Sequence, residues 1–178
     1  ESLRTCAPGQ VATIKGAVVH HTVNSNTYAA SDVPALLRGI YAYHVTGNGW
    51  CDVGYNFFVD RFGRLFEGRF GGMYKNVVGA QAAGFNSQTF GVSSIGNHDP
   101  GSAGAVAPSP TVQSAIGKLI GWKAWLNGWD PSTPVSYTSA GSSRWPKGTV
   151  ISKQRVSGHR DFNLTTCPGD LMYSKLSS

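Results

Sequence analysis

The run Gly16-Ala17-Val18-Val19-His20-His21 is apolar until its last two residues and reads as an inner strand of a sheet. Successive strand side chains face opposite sides. His20 and His21 therefore cannot both turn easily toward one site, and periodicity does not choose between them.

Working outward, residues 1–15 read as an irregular N-terminal arm carrying Pro8 and Gly9. Ser31-Asp32-Val33-Pro34 opens a helix, with a capping residue followed by proline in the first turn. Leu37, Tyr41 and His44 repeat along it at helical spacing, and Gly47 and Gly49 stop it. Tyr55 to Asp60 and Arg64 to Glu67 flank a turn with Gly63, the pattern of a β-hairpin. Phe90 to Ile95 is a further strand. Asn97 to Pro110 is a loop rich in Gly, Ala and Pro, after which Pro110-Thr111 starts a helix. Val112, Ala115, Ile116, Leu119, Lys123 and Leu126 lie along one side of that helix. Residues 130–150 are expected to be a second long loop, and Pro168 to Leu176 a closing helix. There is no internal repeat. Strands mixed with ordinary helices predict an α/β fold, one domain over 1–178 with a central mixed sheet flanked by helices.

At 178 residues the chain is long enough for one real core. Only 13% of residues are charged and 23 are glycine, which describes a compact, loop-rich chain rather than a coiled coil or a disordered tail. The formal charge of +6 and the pI near 9.4 suit an anionic partner. Lys and Arg are scattered from Arg4 to Lys175 without a basic run, so nucleic acid is not expected, an anionic cell-surface polymer is at least as natural a partner, and for any single lysine a merely basic surface is the simpler account. No apolar run approaches the roughly 20 residues of a membrane span. The first residue is Glu1 rather than methionine, as expected if an export leader has been removed.

Chemistry concentrates in Gly158-His159-Arg160-Asp161-Phe162-Asn163-Leu164-Thr165-Thr166-Cys167-Pro168-Gly169. An imidazole and a thiol stand eight residues apart in a segment too broken to be one helix. Both groups bind zinc, with bonds of roughly 2.0–2.3 Å, and a catalytic site takes three protein ligands. One of the two strand histidines would complete the count. If Cys167 binds metal, Cys6 and Cys51 remain as a candidate pair, which would require an oxidising compartment; two free thiols are the alternative.

Val18-Val19-His20-His21-Thr22, Gly49-Trp50-Cys51-Asp52-Val53-Gly54-Tyr55-Asn56-Phe57, Gly63 with Glu67-Gly68-Arg69, and Gly158-His159 with Cys167-Pro168-Gly169 occur in this order. The series resembles the zinc-dependent N-acetylmuramoyl-L-alanine amidases of the peptidoglycan recognition protein and phage-lysozyme type, over about residues 6–176. The resemblance implies a peptidoglycan recognition protein-like fold and one zinc ion held by His20, His159 and Cys167. It selects His20 and leaves His21 a structural role. It implies hydrolysis of the amide between N-acetylmuramic acid and L-alanine of the stem peptide. Tyr55 matches a tyrosine that points at the reacting centre. Thr165 matches a position held by lysine in phage members and by threonine in many others; its hydroxyl could donate to the oxyanion but cannot act as a cationic acid.

For substrate, the resemblance implies His44 against the stem peptide and Gly49-Trp50 with a preference for meso-diaminopimelate. It further implies Arg69 on that residue's extra carboxylate, and Asn86 on the groove side. Cys6 and Cys51 match a disulfide of some recognition proteins. Two departures stand near the expected groove: Phe70 to Val77 is longer than usual, and Gln81 replaces a common histidine. The protein is thus expected to be a monomer, secreted or cell-wall associated, acting on peptidoglycan. Two alternatives are a module that binds muropeptides without cleaving them and a cysteine peptidase with Cys167 as nucleophile and His159 as base. Retention of the cysteine ligand favours the enzyme.

Overall fold

Residues 3–176 are described by the computed structural model; residues 1–2 of the expected arm and 177–178 of the expected domain lie outside the described residues. Five strands form the main sheet: β1 (Gly16–His21), β2 (Phe57–Val59), β3 (Leu65–Glu67), β4 (Thr89–Ser94) and β7 (Val156–Gly158). Their order is β3-β2-β4-β1-β7, with β2, β4, β1 and β7 parallel and β3 antiparallel. This is the expected mixed sheet. β1 lies between β4 and β7, and all six of its residues are buried, the apolar first four as their composition demands and His20 and His21 with them.

The alternation along β1 separates two sides of the molecule. Ala17 and Val19 join Phe57, Val59, Phe90 and Val92 in a core under α2 (Pro110–Asn127), which contributes Val112, Ala115, Ile116, Leu119 and Ile120. Val18 faces the other way, into a cluster with Ala82, Phe85, Tyr137, Ile151 and Phe162. On that second side Phe58 meets Val33 and Leu37 of α1 (Val33–Ala42). Burial of each large apolar side chain stabilises by about 1.5–3 kcal/mol, so β1 anchors two cores at once.

Helix boundaries follow the local chemistry with corrections. The Ser109 hydroxyl accepts from the Val112 amide at 3.3 Å and starts α2 one residue before Pro110. Gly128 ends α2 in a left-handed turn at φ +67°. Asp32 does not cap α1 as expected; its carboxylate accepts from the Ala29 amide at 2.7 Å, outside the helix. α1 gives way at Tyr43 to a π-type turn through Gly47, in which the Asn48 amide reaches Tyr43 O. Leu126 is 38% exposed, so the buried stripe of α2 runs instead through Ile120 and Ala124.

The expected loop over residues 130–150 contains a strand. β5 (Pro134–Thr138) pairs antiparallel with β6 (Val150–Gln154), burying Tyr137 and Ile151 on one side. Prolines and serines at the ends of the segment concealed a short alternating run. The closing helix is reduced to one turn, α3 (Asp170–Tyr173). The arm is irregular over its described part, touching the body through a bridge from Gln10 to Val77. No helix among the described residues is long and apolar enough to cross a membrane.

Candidate metal centre

His20 stands at the carboxyl end of β1, on the side opposite α2, and is fully buried. β7 is in register with β1 as far as Val19 opposite Gly158, so the next residue, His159, emerges beside His20. Their ring centroids are 4.6 Å apart. A 3₁₀ turn (His159–Asp161) then reverses the chain, with the Gly158 amide donating to Asp161 at 2.9 Å. This turn brings Cys167 back to the histidines. Arg160 clamps the return: its amide donates to Cys167 O at 2.9 Å, and its guanidinium reaches Thr166 O and, at 2.5 Å, Asp170. Gly169, at φ +83°, passes so close to the His98 backbone that a Cβ there would collide with it.

The outcome is a cluster of His20, His159 and Cys167 whose ligand atoms all lie within 4.8 Å of one another. Nδ1 of His20 is 3.6 Å from Sγ of Cys167. Burial pushes the Cys167 thiol up to about 12 and His159 down to about 4, the latter opposed by the Asn163 side chain. Burial, and next the charge of His159, lowers His20 well below its usual value. In all three the largest cause is desolvation of the charged form. A divalent cation reverses this balance, because it binds neutral imidazole and thiolate and displaces the thiol proton. Two imidazoles and a thiol are a donor set that fits zinc.

His21 turns to the other side of the sheet, where its Nδ1 accepts the His98 amide at 3.1 Å. The structure thus separates the adjacent histidines as strand geometry requires. The Tyr55 ring lies 5.0 Å from that of His20, and burial, then the neighbouring Cys167, raises its pKa. The phenol is therefore a neutral hydrogen-bond donor at ordinary pH. Thr165 is exposed, and its oxygen accepts the Cys167 amide at 3.2 Å, which leaves its hydrogen able to donate.

Of the residues expected to hold substrate, His44 and Trp50 join this cluster through the Tyr55 ring. His44 is buried, its Nδ1 accepting the Gly54 amide at 3.1 Å, and its ring lies 4.8 Å from Trp50 and 5.4 Å from Tyr55. The guanidinium of Arg69 donates to Val53 O at 3.1 Å, so part of its fork already serves the loop before β2. Cys6 and Cys51 form a disulfide beside it, with Cys51 Sγ 3.5 Å from Arg69 Nη2. The Asn86 oxygen accepts from the Gln81 and Ala82 amides at 2.8 and 2.9 Å, an internal turn contact. A groove of about 1000 Å³ lies elsewhere, between α2, the β5–β6 pair and α3.

Sequence reading passed over Arg160 and Asn163, and saw Gln81 only as a departure. No motif marks them; they matter because the loop returns through them and because Gln81 reaches His20 at 2.6 Å.

Comparison with known proteins agrees with this architecture. The sequence profile of the N-acetylmuramoyl-L-alanine amidase family matches residues 10–170. Peptidoglycan-recognition protein SC2 of Drosophila simulans is 30% identical over 160 residues, covering 90% of this chain and 71% of that protein. Wild-type Drosophila peptidoglycan recognition protein LB superposes with a TM-score of 0.73 at 23% identity, over 97% of this chain and 85% of that one. Peptidoglycan recognition protein LE, solved with tracheal cytotoxin, superposes with a TM-score of 0.75 at 22% identity, over 98% and 86%. The fold is that of the peptidoglycan recognition proteins, and the chain belongs to the N-acetylmuramoyl-L-alanine amidase family.

Proposed function

We propose that this protein is a zinc hydrolase that cleaves the amide between N-acetylmuramic acid and L-alanine of peptidoglycan stem peptides. The observation that carries the reading is the convergence of His20, His159 and Cys167 from distant parts of the chain within 4.8 Å. These three would hold one zinc ion, which supplies Lewis acidity toward a carbonyl and a water acidic enough to act at neutral pH. Tyr55, kept protonated by burial, donates to the oxyanion as it develops, and Thr165 adds a second donor from the rim. His44 and Trp50 form the aromatic wall that receives the stem peptide, and Asn86 shapes the adjoining turn.

The remaining donors of Arg69 recognise the second carboxylate of meso-diaminopimelate. Peptidoglycan recognition protein LE is described in complex with monomeric diaminopimelic acid-type peptidoglycan, which supports this substrate class. The net charge of +6 suits the anionic wall polymer. The disulfide supports a secreted or wall-associated location, where the protein acts as a monomer.

A second reading, binding without cleavage, draws on relatives that carry the name of recognition proteins. Stripping zinc with a chelator and restoring it should abolish and then recover release of peptide from cell wall, identified by mass. Wall binding with no release under zinc saturation supports the second reading instead. A cysteine nucleophile is disfavoured, since a thiol pushed up to about 12 is the inert kind.

A further inference from the structure

We infer that Gln81 is a positioning residue: it fixes the His20 ring with its proton on Nε2 and so presents Nδ1 to the metal site. The inference rests on reading His20 as a ligand. Oε1 of Gln81 is 2.6 Å from Nε2 of His20, and Nε2 of Gln81 is 3.0 Å from the Thr89 hydroxyl. That hydroxyl carries one hydrogen, which it gives to Phe85 O at 3.0 Å. It must then accept from the Gln81 amide nitrogen, which leaves Oε1 facing the histidine. A ring nitrogen 2.6 Å from a carbonyl oxygen carries a hydrogen, so the lone pair of the neutral ring falls on Nδ1, the atom that faces Cys167.

The surroundings are shaped for this relay. Gln81 is 5% exposed, and His20 and Thr89 are fully buried. Gln81 lies flat across β4 at Gly91, where a Cβ would approach its Cγ to 2.6 Å and its Cδ to 2.8 Å. Its backbone is held by the Asn86 oxygen, which accepts two successive amides. The reversed amide would turn the Thr89 hydroxyl away from Phe85 and put the hydrogen on Nδ1, toward Cys167. The two orientations therefore predict opposite tautomers. Partners that orient a metal-binding histidine typically contribute tenfold to hundredfold in metal affinity.

The test has two parts on the purified full chain. Long-range ¹H–¹⁵N NMR of the metal-free protein should show His20 protonated on Nε2; protonation on Nδ1 overturns the inference. Zinc affinity, measured by competition with a chromophoric chelator, should fall roughly tenfold to hundredfold in Gln81→Leu and be retained in Gln81→Glu, which keeps the acceptor. Thr89→Val, which leaves Gln81 in place but removes its anchor, should weaken zinc in the same direction. Unchanged affinity in both Gln81→Leu and Thr89→Val sinks the idea. If Gln81→Leu fails to fold, Thr89→Val and the tautomer of the parent protein decide. A parent that binds zinc through this relay yet releases no peptide refutes the hydrolase and leaves Gln81 its role. A parent that binds no zinc refutes the metal reading, and the tautomer alone then decides the relay.

Discussion

At the scale of single residues, the proposed roles divide by whether a side chain would hold the metal or meet the substrate. Cys167→Ala removes one of the three proposed ligands, so zinc and activity should be lost together, as elemental analysis and a wall-release assay would record. Tyr55→Phe deletes one donor and no ligand. It should keep zinc stoichiometry and lose roughly 10²–10³ in rate, the usual cost of an oxyanion donor; normal turnover would remove Tyr55 from the chemistry. Arg69→Ala should reduce activity on diaminopimelate-type muropeptides more than on lysine-type ones. Because Arg69 also donates to Val53 O, some loss on both substrates is expected, and only an equal loss removes the specificity role.

At the scale of elements, α2 acts beyond its apolar stripe. Lys123 is 1% exposed, and its ammonium donates to Met73 O, Lys75 O and the Asn76 side chain at 3.0–3.3 Å. Those acceptors lie in the long 70–77 link, which α2 thereby holds against the sheet. Lys123→Met should destabilise by about 1–3 kcal/mol, measured by urea unfolding, because three oxygens lose a charged donor. The sign of the pH effect follows from burial, which lowers Lys123 to about 8 against about 10.4 in an unfolded chain. Between these values the unfolded chain holds a proton that the folded one has shed, so this group makes stability rise with pH. The slope is at most about 1.4 kcal/mol per unit, and below pH 8 it vanishes. The parent should show this excess slope over Lys123→Met; parallel curves from pH 8 to 10 would contradict it.

At the scale of the whole molecule, the arm and the loop before β2 are tied by the Cys6–Cys51 bond across 45 residues. Replacing both cysteines by serine should cost about 2–4 kcal/mol by the chain-entropy account. Zinc, if it binds the folded cluster and not the unfolded chain, should raise the melting temperature in proportion to the logarithm of its concentration. Calorimetry with and without a chelator measures both effects, and a melting temperature indifferent to zinc argues against a site at His20, His159 and Cys167.

Much was legible from local pattern alone. β1, the β2–β3 hairpin, β4 and the start of α2 announce themselves through apolar runs, a turn glycine and a proline in the first helical turn, because their signals are carried by neighbours in sequence. The hairpin of β5 and β6 was hidden, since its strands are short and only Tyr137 and Ile151 are buried well enough to mark a face. The histidines and the cysteine were visible as residue types, and strand alternation already meant that His20 and His21 could not both easily serve one site. Periodicity did not choose between them; the family resemblance pointed to His20, and the parallel register of β1 and β7, a contact between segments about 140 residues apart along the chain, sets His20 beside His159. The same holds for Gln81: nothing in its own neighbourhood says that it lies across Gly91 to meet His20. Hydrogen bonds of that kind depend on where separate strands come to rest, and only the folded sheet determines it.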